Sequence, residues 1–164
     1  MLGILIMSRA PTDTPARDRA VDLALLLQRV ASGALLWAFH VRPKLERFDE
    51  ELATFPDPFG IGHPASFALA LLSEGLCSVA VAIGIATRLS ALAIVLTMGT
   101  VLMLAARGLE GADVQSALLY ALLYLLPIVA GPGHLSLDHR LRHRYGAIRR
   151  RVERRILAWI ASEA

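Results

Sequence analysis

The sequence predicts an all-α integral membrane protein: a four-helix bundle with an amphipathic loop on its outer face and a basic amphipathic tail on its inner face. Three observations carry this. Of 164 residues, 55% are hydrophobic and 19% charged, against about 45–50% and about a quarter in an ordinary soluble domain. Mean hydropathy is +0.54. The charges gather at the ends and in one loop, leaving four apolar stretches between them. A small globule keeps a large share of its surface wet and cannot hide that much apolar area. A bilayer removes the difficulty.

The first stretch, 21–41, is apolar apart from Asp22, Gln28, Arg29 and His40. The second, 65–86, carries a single charge, Glu74, and the third and fourth, 89–106 and 114–130, carry none. A spanning helix needs about 20 residues, with a usual range of roughly 17–25. The last two sit at the short end and should stand nearly upright. Helices of a soluble bundle would need polar outer faces, which 89–106 lacks all round. The Thr87-Arg88 turn is so short that the second and third spans must be antiparallel neighbours. The chain thus divides into a tail, 1–20, a membrane domain, 21–138, and a C-terminal helix, 139–164.

Loop charges set the direction. With the N-terminus inside, the inner face receives Arg9, Arg17, Arg19, Arg88 and eight tail arginines, while the outer face receives only Arg42, Lys44, Arg47 and Arg107. Both termini are therefore expected in the cytoplasm, with the protein in the bacterial cytoplasmic membrane. Residues 1–7 are too short for a signal-peptide core and follow no basic segment, so insertion should rest on the first span. In the outer loop, Leu45, Phe48, Leu52 and Phe55 fall at helical spacing among charged residues, and Asp57-Pro58 and Gly60 to Pro64 turn the chain back. In the tail, Leu141, Tyr145, Ile148, Val152, Ile156 and Trp159 recur every three or four residues opposite arginines. Arg149, Arg150, Arg151, Arg154, Arg155 and Trp159 are the candidate contacts to anionic lipid or to a docked protein partner. No nucleic-acid reading motif accompanies the charge.

Particular residues carry a resemblance. Leu26 to Gly33, followed by Trp37, His40 and Lys44-Leu45, resembles the opening of DoxX proteins. Glu74-Gly75 and the Gly84-Ile85-Ala86-Thr87-Arg88 exit from the second span are similar to the same family's pattern, as is Gly131-Pro132-Gly133-His134-Leu135-Ser136-Leu137-Asp138. The resemblance runs from about Leu25 to Asp138. It implies a four-helix bacterial membrane protein, in some relatives linked to quinone or thiosulfate oxidation and to oxidative-stress complexes. Relatives often carry a glutamate at the start of the fourth span, where this chain has Gln115, with Asp113 nearby.

Arg29 and Glu74 are the leading site candidates, because an ionisable group inside a span is costly unless paired or hydrated. At 1.5 Å per residue they lie roughly 11–12 Å and 18 Å from the inner side, an offset an arginine side chain could bridge. Ser66, Ala70, Glu74, Ser78, Ala82 and Ala86 form a small-residue row that suits a helix interface. Arg29, Gly33, Leu36 and His40 form a comparable row on the first helix. Cys77 and Ser78 lie beside Glu74, and with His40 and Gln115 complete the candidate intramembrane polar site. Arg29 with Glu74 reads either as structural glue or as a ligand or proton site.

His40 and His63 at the outer mouth are too weakly spaced to argue for a metal, so none is expected. One cysteine, no histidine pair within the spans and no glycine-rich nucleotide turn leave no place for a bound redox centre. Any redox link should run through a partner or diffusible quinone, for which Trp37, Tyr120 and Tyr124 offer flat faces. Gly131-Pro132-Gly133 reads as a joint, with Ser136 as the cap of a following helix. Two functional readings stay open: an accessory or anchoring subunit of a membrane redox or stress system, and a small transporter or proton-conducting module built on Arg29 and Glu74.

Overall fold

A computed structural model describes residues 15–109 and 112–141, and every described regular element is helical. The first rod runs α1 (Pro15–Leu36), a π-helical turn (Trp37–Val41) and α2 (Arg42–Glu46). After α3 (Phe48–Thr54), the second rod runs α4 (His63–Leu71), another π turn (Leu72–Cys77) and α5 (Ser78–Ile83). Then follow α6 (Thr87–Ala106) and α7 (Val114–Ala130). Three rods are long and apolar enough to span a bilayer, and α7, with 17 residues, is a shorter apolar helix packed along α6. The amphipathic loop segment is two short helices broken at Arg47, and its Phe48 and Phe55 rings pack on Phe67. The tail residues Arg149, Arg150, Arg151, Arg154, Arg155 and Trp159 lie outside the described residues.

Burial is distributed as a bilayer requires. Leu89, Leu96, Leu122 and Val129 point outward, each more than 60% exposed, while Arg29, Ser32, Glu74, Ser78 and Thr87 are buried. Between them lies an apolar centre that includes Leu36, Val81, Ile94, Met98 and Tyr124. Pro127 shows how local chemistry fixes packing. Proline has no N–H to give the carbonyl four residues back. That carbonyl, on Leu123, instead accepts the Gln28 side-chain amide at 2.8 Å, tying α7 to α1.

The second rod stops at Ile83, three residues earlier than the apolar run suggests. Gly84 takes the left-handed conformation (φ 79°), and Ile85 N–H donates to Ala80 O while Gly84 N–H donates to Val81 O. This is a Schellman ending, which a glycine at that position stabilises. Ala86 is also left-handed (φ 44°), an unusual state for a residue with a Cβ. Asp138 holds it there: its carboxylate accepts Ala86 N–H, Thr87 N–H and the Thr87 hydroxyl, all at 2.8–2.9 Å. The Gly-Pro-Gly segment therefore does act as a joint that brings Asp138 to the start of α6, and Ser136 accepts His139 N–H as the sequence suggests.

Candidate functional site

The two leading candidate residues do not meet. Arg29, 1% exposed, lies at the end of the bundle that carries Asp138, and its guanidinium donates to the carbonyls of Leu25, Val81 and Leu135. Glu74, 2% exposed, lies toward the opposite, loop end and accepts from Lys44 Nζ at 2.5 Å. About seven residues of helix separate Glu74 from Val81, roughly 10 Å of rise. The expected Arg29–Glu74 pairing is thus replaced by two separate arrangements. Arg29 is satisfied by the carbonyl-rich end of α5 and by the 131–138 segment, whereas the nearest cation to Glu74 comes one helical turn beyond His40.

Two π turns account for the register at Glu74. The Trp37–Val41 and Leu72–Cys77 turns pack against each other, and wide turns of this kind recur at functional sites. The extra residue swings Ser73, Glu74 and Gly75 together into the interior. Gly75 O then accepts the Trp37 indole N–H at 3.1 Å and the Ser78 hydroxyl at 2.8 Å. Ser78 is therefore a packing residue of this joint. Cys77, placed beside Glu74 by α-helical counting, is carried round to the apolar centre.

Glu74 and Lys44 face a cavity of about 370 Å³. His40 and Asp113 join them on its polar side; Leu69, Met98, Val101 and Leu104 make apolar walls, and Phe55, Pro58, Phe59 and Ile61 roof it. Thr97 lines the cavity and donates to Ser73 at 2.7 Å. Asp113 is the N-cap of α7, accepting Ser116 N–H at 3.0 Å. Gln115, the candidate from the family pattern, points away and is exposed. His63 turns its Nδ1 to Phe55 O instead of toward His40. His40 meets the edge of Tyr120 at 4.9 Å. Tyr120 and Tyr124 belong to the core, so their faces are not offered to the cavity. Lys44 was legible in the family resemblance, just beyond the first span, and as the continuation of the Arg29–Gly33–Leu36–His40 row by one further turn.

The roof is held by Asp57. Its carboxylate accepts Ile61 N–H, Gly62 N–H and the Ser66 hydroxyl at 2.7–3.0 Å. The Ser66 hydroxyl foremost, then the Gly62 amide, keep this carboxyl below its ordinary value. A depressed folded-state value means the clamp is fully present above the unfolded value, about 3.9 for Asp, and is lost as pH falls through the folded one. Hydrogen exchange at Ile61 and Gly62 should therefore stay slow, relative to unfolded peptide rates, at neutral pH and down to about pH 4. Protection should collapse below that, and in Asp57→Asn it should already be reduced at neutral pH.

The arrangement can hold a lipophilic body against apolar walls while one end meets an ammonium, an imidazole and two carboxylates. A family model for DoxX matches residues 24–107, 84 of the 164 residues, covering Arg29, His40, Lys44, Glu74 and the roof. Neither a curated protein nor a solved structure matches the chain. Membrane rods, buried polar residues and family match agree: this chain belongs to the DoxX family.

Proposed function

We propose that this protein is an accessory or anchoring subunit of a membrane redox or oxidative-stress system, and that its cavity holds a lipophilic molecule with a polar head, of the quinone class. The observation that carries the reading is the asymmetry of the cavity: apolar side chains on most sides, with Lys44, His40, Glu74 and Asp113 gathered on one. Pockets for such ligands are mostly apolar with a few placed polar groups. Lys44 Nζ and the His40 ring can donate to a carbonyl oxygen. When bound, a quinone supplies the electron-carrying chemistry; this chain's residues bind and orient it.

The conducting alternative is disfavoured by the same geometry. Arg29 and Glu74 are separated by a centre containing Leu36, Val81, Ile94 and Met98, all at most 1% exposed. A path through the bundle would have to cross that plug.

The test is binding of a short-chain quinone to the full chain in a neutral detergent, read by quenching of Trp37 in a Trp159→Phe background. Saturable quenching is expected, weakened about tenfold, equivalent to about 1.4 kcal/mol, by a cavity-filling Thr100→Phe change at a residue of the cavity wall. Non-saturating quenching that is indifferent to Thr100→Phe would reject the reading.

The proposed orientation puts both termini in the cytoplasm of a bacterial cell, as the loop arginines favour. In a Cys77→Ser background, a cysteine at Thr54 should react with an impermeant thiol reagent on intact cells, and cysteines at Ser8 or Ser162 should not. External labelling at either terminus would reverse the orientation.

A further inference from the structure

A second cavity lies at the opposite end of the bundle from the ligand pocket, where α6 begins and α7 ends. Its volume is about 240 Å³, and its wall includes Arg88, Gly131, Gly133, His134 and His139. This is several times the roughly 30 Å³ share of one water molecule. Three of its side chains, Arg88, His134 and His139, can carry positive charge or donate hydrogen bonds, and residues 130–133 complete the wall.

Two carboxylates stand near it, and both are engaged by groups of this chain. Asp22 accepts both His134 N–H and the His134 ring at Nδ1, at 2.9 Å each. Asp138 accepts the two amides and the hydroxyl at the start of α6. Arg88, by contrast, makes no hydrogen bond or ion pair among the described residues, although it stands beside the carbonyl end of α7. Its guanidinium lies against Gly131, where an added Cβ would come within 3.3 Å of Nη2. Glycine thus leaves the space in which the guanidinium rests at the cavity wall. The His134 and His139 rings meet edge to face at 4.6 Å, and Asp22 fixes His134 through Nδ1, leaving Nε2 as its other polar atom.

We propose that Arg88, His134 and His139 form a phosphate-binding site at the membrane surface. A tetrahedral phosphate can take two parallel N–H groups from the arginine fork and one from the imidazolium form of a histidine on another side, in which both ring nitrogens donate. The phosphate is that of a lipid headgroup or a free phosphate in the adjoining water. The site is separate from the quinone-class pocket and stands whether or not that pocket is correctly assigned.

The experiment uses the full chain in neutral maltoside micelles with ¹⁵N-labelled histidine rings. Inorganic phosphate and short-chain phosphatidylglycerol are titrated separately, and the His134 and His139 ring nitrogens are followed by NMR. His40 and His63, at the far end, are internal references. Saturable shifts confined to His134 and His139 are expected, with affinity reduced about tenfold or more in Arg88→Gln and partly kept in Arg88→Lys. Shifts with inorganic phosphate alone identify a soluble source; shifts only with phosphatidylglycerol identify the lipid headgroup. Either result supports the site. No saturable shift with either probe in the wild-type chain overturns it. So does a shift that Arg88→Gln leaves intact while Arg149→Gln/Arg150→Gln/Arg151→Gln abolishes it. Unchanged His40 and His63 resonances in Arg88→Gln would show that the variant is folded.

Discussion

Replacing Glu74 with leucine is expected to destabilise the bundle by about 2–4 kcal/mol, because it strands the partly buried ammonium of Lys44. The Lys44 and Glu74 side chains are 16% and 3% exposed, so water screens little of their interaction. Lys44→Met should cost a similar amount by stranding the carboxylate. The double variant should cost less than either single change, since an apolar pair leaves no charge to solvate. Arg29→Leu combined with Glu74→Leu should instead lose stability additively, because the two residues share no partner. Unfolding of the detergent-solubilised chain would measure all five variants. Strong coupling between Arg29 and Glu74, with none between Lys44 and Glu74, would place the ion pair wrongly. Ligand binding is expected to fall in the Lys44→Met/Glu74→Leu variant even if its stability recovers, which separates the pair's two roles.

Gly84→Ala should be the most damaging glycine-to-alanine change among the described residues, at about 3 kcal/mol or more, since it combines backbone strain with displacement of a buried guanidinium. The new Cβ would collide with Arg29 Nη1 and come within 2.6 Å of Ser136 Cβ, at a backbone φ of +79°. Shifting Arg29 would loosen its bond to Leu135 O, and shifting Ser136 would pull on the segment that delivers Asp138 to Ala86 and Thr87. One methyl group thus acts on α1, α5 and the start of α6 together. Gly99→Ala makes the contrast. Nothing lies within 4 Å of its added Cβ, and its φ is ordinary for a helix. It should be neutral or stabilising by about 0.5–1 kcal/mol. Equal melting curves for the two variants would show that the Gly84 joint carries no strain.

These expectations separate the residues that hold the bundle together from those that border the cavity. Arg29, Gly84, Ser136 and Asp138 form one joint that closes the bundle at one end. Lys44 and Glu74, with His40, border the cavity at the other. A ligand assay should therefore respond to the second group in well-folded protein, while damage from the first should appear as lost stability.

The sequence by itself determined the membrane class and the approximate positions of the rods, because the transfer of long apolar runs into lipid depends on local composition alone. It also marked Arg29 and Glu74, since ionisable groups are conspicuous within such runs, and it exposed the Gly-Pro-Gly joint through the backbone limits of those residues. Only the tertiary structure decided the partners. The 3.6-residue repeat that placed Cys77 beside Glu74 fails across a π turn, whose extra residue arises from packing against a second π turn. Arg29 finds its strongest acceptor 106 residues away, on a backbone carbonyl that no side-chain pattern reveals. Lys44 reaches Glu74 because the first rod continues past its apolar stretch, beyond where hydropathy ends it. Hydrophobicity is read residue by residue along the chain, whereas the pairing of a buried charge depends on which distant atoms the folded chain brings within reach.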